Sequence, residues 1–599
     1  MEKQRKRDEI EEKYKWDLTT IYKNDEEFLK DLENIEKDIS NFQKFKGHIL
    51  DDSDSLLEYL KYNDEFTRKI YKLYYYAHLN HDSDTTNIKY QEFVGKVANL
   101  FTKLSEETAF VNSEMYQKPF SLVEKYIEEN KNLEQYRFNL EQFYRYESHK
   151  LSEEQEKMLS ILSNTLSTPE DAFNSLTDSD MKFGNIKDEN GNDIELTESN
   201  YSTFITSKDR RVRKEAFECL FSTYSNFKNT ISTTFKGNVE YLTSMAKLKK
   251  FNSSIEASLF DDNVTPEIYN NLIDTINKNM NVNYKYFALK KEILNLDELH
   301  LYDNYVELIK DYDKKYTFDE AKEIVINALS ILGEDYIKNI NKAFDERWID
   351  IYNNVGKRGG AYSSGFYDTN PFVLLNFEGK LHDVSTLAHE LGHSMHTYYS
   401  CKNNTFNNSS YKIFVAEVAS TVNEMLLNHY LLENSKDDNE KLYVLNNMME
   451  LFKSTIYRQV MFAEFERDMH ALKEKGEILT NELLSNEYYK LNQKYFGDNV
   501  VVDELIKYEW ERIPHFYYDF YVYQYAIGLS CACYIVDGII NKKENALKNY
   551  LKFLTLGGSD TPVNELKVAG IDVTKSDVIL SAIKMFDETI DKFKEIYNK

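Results

Sequence analysis

Six prolines and 19 glycines in 599 residues are too few to build a protein of tight turns. Proline and glycine punctuate loops and hairpins, so their scarcity predicts long, uninterrupted helices rather than a sandwich or barrel. Aromatic side chains make up 14 % of the chain, 46 of them tyrosine. That much apolar surface offsets the entropy of ordering and excludes a disordered chain. The expected class is mainly α. The length permits more than one core, and the pattern suggests an N-terminal helical lobe over 1–200 and a second, larger domain over 201–599.

The punctuation that exists is informative. Thr168-Pro169-Glu170-Asp171, Asn263 to Glu267 and Thr317 to Glu320 each read as a helix start. Residues 182–197 break the helical rhythm around Asn190-Gly191, which is a hairpin signal and a plausible lobe boundary. Five of the 19 glycines (356, 359, 360, 365 and 379) crowd into 24 residues. Within that window Pro371 to Phe377 reads as a short strand, and a helix follows near Asp383. Glycine there predicts close backbone approach to a ligand or to another segment.

Charge and cysteine usage narrow the partners. Lys and Arg total 74 against 101 Asp and Glu, a net charge of −27 that repels a nucleic acid. The one basic run, Lys3 to Arg7, is followed by Asp8, Glu9, Glu11 and Glu12 and reads as a solvated helix start. No apolar stretch follows it, so no secretory signal is expected. The apolar stretch Tyr521 to Ile540 contains Gln524 and Asp537, which predicts a buried core helix and not a membrane span. Four cysteines cannot make a disulfide framework and fit a reducing cytoplasm, with Cys531 and Cys533 as buried thiols.

The chemistry centres on Leu387 to His396, which contains H-E-x-x-H. On a helix, His389 and His393 share one face a turn apart, so both imidazoles can reach one tetrahedral zinc. Glu390, offset by about 100°, can serve an activated water without ligating. Position 396 is His and 399 is Tyr, which excludes the H-E-x-x-H-x-x-G-x-x-H class. His396 reads as packing or support rather than a third ligand. A carboxylate from a following antiparallel helix completes the set better. Residues 411–431 form such a helix, and Glu417 and Glu424 face the same way. Glu417 would reach the metal, while Glu424 would accept a hydrogen bond from a ligand histidine and fix its tautomer. Asp383 reads as the N-cap of the motif helix. Farther on, Arg512 to Tyr525 packs His515 among five tyrosines, donors suited to a developing oxyanion.

Taken together, these segments resemble oligoendopeptidase F, a branch of the thimet-oligopeptidase family of zinc metallopeptidases. The matching stretches are Lys357 to Tyr362, Pro371 to Phe377, Asp383 to His396, Phe414 to Ser420, His515 to Gly528 and, near the start, Tyr14 to Leu18. The resemblance implies a two-lobed helical shell around a deep channel, with a small sheet beside the zinc helix. It implies one zinc on His389, His393 and Glu417, Glu390 as general base, and His515 as a substrate-contacting histidine. The family also uses two tyrosines seven apart. Tyr518 and Tyr525 have that spacing, and an offset of one or three residues selects others. Gly359, Gly360, Ala361 and Tyr362 are expected to contact substrate, and strand 372–377 to be the edge on which an extended peptide lies. The expected partners are short peptides in the cytoplasm, with neither nucleic acid nor membrane. Two rivals carry the same motif. A helical zinc carboxypeptidase would need Arg358 or Arg512 to capture a terminal carboxylate, and a non-catalytic peptide binder would have no need of Glu390.

Overall fold

The computed structural model describes residues 5–309, 312 and 314–599, so Lys3 of the basic run lies outside the described residues. The fold is mainly α, as the scarcity of proline and glycine predicts. Its longest helices are Ser53–Ser83 and Arg210–Leu248. Each opens on an aspartate (Asp52, Asp209) whose carboxylate accepts a backbone N–H of the first turn. The proline-marked starts are real: helices run over Thr168–Ser175 and Pro266–Lys278 with proline in the first turn, and Thr317 caps Phe318–Leu329. The signal at Asn190-Gly191 is a hairpin, Asn185–Lys187 paired antiparallel with Asp193–Glu195.

The chain gathers into two compact units, each discontinuous in sequence. The first comprises Met1–Lys150, Asp313–Tyr430 and Ile535–Ile571; the second comprises Leu151–Tyr312, Leu431–Tyr534 and Asp572–Lys599. Residue 200 therefore falls inside the second unit, as does the hairpin. Helices pair with sequence-distant helices to cover their apolar faces, and local punctuation does not record that pairing. The apolar helix Tyr523–Ile540 is long enough to cross a membrane by length and composition, yet 72 % of it is buried within the protein.

In the first unit a three-stranded sheet lies beside the H-E-x-x-H segment. Ile349–Asp350 runs parallel to Phe372–Leu374, which runs antiparallel to Tyr362–Ser364. Phe372–Leu374 is thus the central strand, wholly buried and paired on both sides. This corrects the expectation of an edge strand at 372–377: the outer position beside it belongs to Tyr362–Ser364. Gly365 makes the return possible, since a Cβ there would lie 2.6 Å from the Pro371 Cα. The basic run also has a different role from a solvated helix start. Arg7 Nη1 donates to the buried Asp350 at 2.7 Å, and Lys357 Nζ sits 2.7 Å from the same carboxylate. Burial alone would raise the Asp350 pKa, but the two cations hold it below its ordinary value.

Two helices carry the candidate site. The motif helix spans Leu381–Asn403 and the carboxylate helix spans Ile413–Asn434. The motif helix begins two residues before Asp383, so Asp383 is not its N-cap. Its carboxylate instead accepts from the backbone N–H of Lys380 at 2.8 Å and Glu378 at 3.0 Å, reaching back as the third residue of a capping box. The two helices meet backbone to backbone at Gly392, where an added Cβ would lie 2.6 Å from both the Ala419 carbonyl oxygen and the Ser420 Cα. A buried bridge locks the crossing: Asn423 Nδ2 donates to the Ala388 carbonyl at 3.0 Å, and Tyr336 Oη donates to Asn423 Oδ1 at 3.0 Å. Gly392→Ala should force the helices apart and destabilise the protein by about 1–3 kcal/mol, the ordinary cost of overpacking a core. A lowered thermal midpoint together with reduced metal content would register it; an unchanged midpoint and full metal content would refute this account of the crossing.

Candidate metal centre and active site

The crossing places His389, His393 and Glu417 together. His389 Nε2 and His393 Nε2 are 3.2 Å apart, and each lies 3.5 Å from Glu417 Oε2. Ligand atoms about 2.0–2.1 Å from a tetrahedral zinc stand about 3.3–3.4 Å from one another, so this triangle has the edge length such an ion requires. Two imidazole nitrogens facing each other this closely also need a shared cation or proton between them. The donor set, two imidazoles and a carboxylate, is the zinc type, so the residues present fit the ion that the sequence predicts.

The surroundings prepare these donors. His389 Nδ1 donates to Glu424 Oε1 at 2.8 Å, which turns Nε2 toward the other two ligand atoms. Burial alone would lower the His389 pKa, but Glu424, with Glu390 and Glu417 nearby, overcomes burial and takes it to about 9. Glu417 responds in the opposite sense. Burial raises its pKa, and the hydrogen bond and charge of His393, with His389 and Ser420, bring it down to about 2. Ser420 Oγ donates to Glu417 Oε2 at 3.0 Å and steadies that carboxylate. His396 is not a member of the group. It is buried, its ring stacks on Tyr411 at 3.7 Å, and burial pushes its pKa down to about 3.

Glu390 is 6 % exposed, and its Oε2 has no hydrogen-bond partner among the described residues. Burial raises its pKa, partly countered by His389 and His393. A buried carboxylate oxygen without a partner is costly and rare. It feels the charge of His389 and His393, two members of the metal-type donor group.

The glycine loop is held in place without being filled. Asn376 Nδ2 donates to the carbonyls of Arg358 and Gly360 at 3.0 and 2.7 Å. Among the described residues, chain neighbours aside, nothing lies within 4 Å of where a Cβ on Gly359 or Gly360 would stand. Ala361 leads directly into the edge strand, and Tyr362 opens it. Tyr362 Oη donates to Asp82 at 2.8 Å, and burial, reinforced by Asp82, raises its pKa. Ser363 Oγ meets Ser394 Oγ at 2.8 Å, tying the strand to the motif helix. Asp82, which sequence reasoning missed, also holds Arg358, whose backbone N–H and guanidinium reach it at 2.9 and 3.2 Å. No short motif marks Asp82, because it lies in the helix Ser53–Ser83, 276 and 280 positions before Arg358 and Tyr362.

His515, Tyr518 and Tyr525 belong to the second unit, where they form one aromatic group. The His515 ring lies 5.5 Å from Tyr518 and 6.2 Å from Tyr525. Tyr521, not singled out from sequence, stacks on His515 at 6.4 Å and meets Tyr525 at 5.4 Å. The remaining two tyrosines of the segment are core. Tyr517 Oη bonds Thr234 Oγ1 at 2.8 Å, and Tyr523 is buried. Burial lowers the His515 pKa, which favours its neutral form. Arg512 Nη2 donates to Glu198 at 2.6 Å. Arg358 and Arg512, the two candidates for capturing a terminal carboxylate, are thus each paired with a carboxylate.

Comparison with known proteins places the chain that carries this triangle in one peptidase family. Residues 203–585 match the model of peptidase family M3, and residues 114–183 match that of oligopeptidase F. The chain belongs to peptidase family M3. It is 42 % identical over 593 residues to the oligopeptidase PepF of Bacillus subtilis, covering 99 % of this chain and 88 % of that one. It is 38 % identical to the group B oligopeptidase PepB of Streptococcus agalactiae, covering 99 % and 98 %. The crystal structure of oligoendopeptidase-F from Enterococcus faecium superposes with a TM-score of 0.74 at 34 % identity, over 96 % of this chain and 99 % of that one. This M3 chain is a metallopeptidase. Glu424→Ala should weaken zinc binding by about 10–100-fold, the usual cost of losing a carboxylate behind a ligand histidine. Competition against a chromophoric chelator measures it, and unaltered affinity would remove Glu424 from that role.

Proposed function

We propose that the chain is a zinc-dependent endopeptidase that hydrolyses internal bonds of short, unfolded peptides in the cytoplasm. His389, His393 and Glu417 would hold one zinc. When bound there, the ion supplies Lewis acidity to a peptide carbonyl and brings the pKa of a water toward about 7.

This chain's own residues do the rest. Glu390 Oε2 takes a proton from the attacking water and hands it to the leaving amine, with burial raising its basicity to suit the task. Glu424 keeps His389 in one tautomer. His515 and one or two of the tyrosines, Tyr518 and Tyr525 by their spacing or Tyr521 by its place against His515, would donate hydrogen bonds to the tetrahedral oxygen, each worth about 3–4 kcal/mol in the transition state. Gly359, Gly360 and Ala361 leave room for an extended peptide, and Tyr362 opens the strand with which its main chain would pair.

The observation that carries this reading is the triangle of 3.2, 3.5 and 3.5 Å among three ligand atoms, adjoining a buried carboxylate oxygen without a partner. The close pairing of Arg512 with Glu198 favours internal cleavage over removal of C-terminal residues, and the names of the relatives favour oligopeptide substrates. Glu390→Gln should abolish turnover while leaving one zinc per chain by metal analysis. Glu417→Ala should lose the zinc itself. Mass spectra of peptide products should show internal cuts that a zinc chelator stops. Products shortened one residue at a time, or full activity of Glu390→Gln, would overturn the proposal. A folded protein offered in place of a short peptide should survive intact on gels.

A further inference from the structure

The segment that carries His515 and its tyrosines contains a strained turn. Asp519 and Phe520 both adopt positive φ, 48° and 60°. Neither is glycine, and for a residue as bulky as phenylalanine this conformation is an outlier that persists only when its surroundings impose it. The surroundings are visible. The Phe520 backbone N–H donates to Glu466 Oε1 at 2.8 Å in a buried contact. The Phe520 ring is buried between Tyr269, at 5.9 Å, and His470, at 4.6 Å. Ser258 Oγ donates to the Asp519 carbonyl.

Glu466 and His470 are four residues apart on the helix Arg458–Glu474, so one helix face meets the turn from within. Glu466 is fully buried, and its Oε2 has no hydrogen-bond partner among the described residues. A buried carboxyl group serving one backbone N–H is an expensive way to fill a core, and leucine would fill it at less cost. What the carboxyl supplies that leucine cannot is an acceptor aimed at the strained peptide.

We propose that Glu466 is a positioning residue for peptide hydrolysis: it pins the Asp519–Phe520 turn and thereby sets the attitude of His515 and the phenols of Tyr521 and Tyr525. The inference rests on the reading of His515 as an oxyanion donor. Glu466 touches neither substrate nor metal in this scheme. It acts through the backbone, holding three donors that lie on the two sides of the turn. Burial raises the Glu466 pKa to about 8, so the group is largely neutral near pH 7 and still accepts the Phe520 N–H through its carbonyl oxygen. A neutral amide of the same shape should therefore replace it.

The experiment compares Glu466→Gln, Glu466→Leu, His515→Ala and the Glu466→Leu/His515→Ala double variant on a short quenched peptide, using the full-length zinc enzyme. Glu466→Leu should lower kcat about 100-fold, with KM and zinc content unchanged, as expected when an oxyanion donor is misplaced. Glu466→Gln should stay within about threefold of the wild type, and His515→Ala should cost little further once Glu466 is Leu, because residues acting as a unit are non-additive. Wild-type kcat in Glu466→Leu, beside a loss in His515→Ala, would overturn the positioning role while leaving the oxyanion reading intact. A silent His515→Ala would overturn both, and loss of zinc in Glu466→Leu would overturn the role by showing a wider structural effect. If Glu466→Leu does not fold, Ser258→Ala takes its place: an about tenfold lower kcat supports the pinned turn, and an unchanged kcat overturns it.

Discussion

The contact of Gly392 with the backbone of Ala419 and Ser420 sets the distance on which the candidate metal centre depends. Helix axes normally stand 8–10 Å apart because side chains separate them. Removing the side chain at one crossing point lets the motif helix and the carboxylate helix approach until Glu417 reaches the nitrogens of His389 and His393. Everything chemical in the first unit is then a matter of phase. Residues at positions 389 and 393 on one helix, and at 417 and 424 on the other, share the facing sides because 3.6 residues make a turn. The buried Asn423 bridge to Ala388 fixes that phase by satisfying a motif-helix carbonyl from across the interface.

Within each unit the protein repeatedly uses buried polar groups where apolar ones would be more stable. Asp350 anchors Arg7 and Lys357 behind the sheet, Asp82 holds Arg358 and Tyr362 at the loop, and Glu466 holds the backbone of Phe520. A buried ion pair or an acceptor without a full set of partners contributes little net stability. Each of these does restrict geometry, and each borders a segment with chemical potential: the sheet edge, the glycine loop or the aromatic turn. The pattern fits a molecule whose helices supply the stability and whose few buried carboxylates supply the precision.

The glycines show the same division of labour. Gly365 and Gly392 exist for close approach, where a methyl group would strike backbone. Gly359 and Gly360 face open space, and Gly360 adopts a positive φ of 81° that glycine takes without strain. From sequence the five glycines of the 356–379 window look alike. Only the positions of distant segments, such as Asp84 beside Gly356 and Tyr316 beside Gly379, separate those that pack from those that stay open.

Much was legible before the fold was known, and the physical reason is locality. Helix content follows from the scarcity of proline and glycine, and the pairing of His389 with His393 follows from helical period within a single turn. The carboxylates at 417 and 424 follow from one further assumption, an antiparallel neighbour. What the sequence could not contain is which distant segments lie beside which. Phe372–Leu374 became the central strand because Ile349–Asp350 pairs with its other side, and Arg7 left solvent because Asp350 lies at that strand's end. Tyr518, Tyr521 and Tyr525 separated from Tyr517 and Tyr523 by facing His515 rather than the core. The sequence by itself determined the helical class and the ligand types of the metal centre, because both are written in spacings of a few residues. The tertiary structure alone decided the register of the sheet, the divided roles of the tyrosines and the hold of Glu466 on the turn, because those depend on contacts across tens to hundreds of residues.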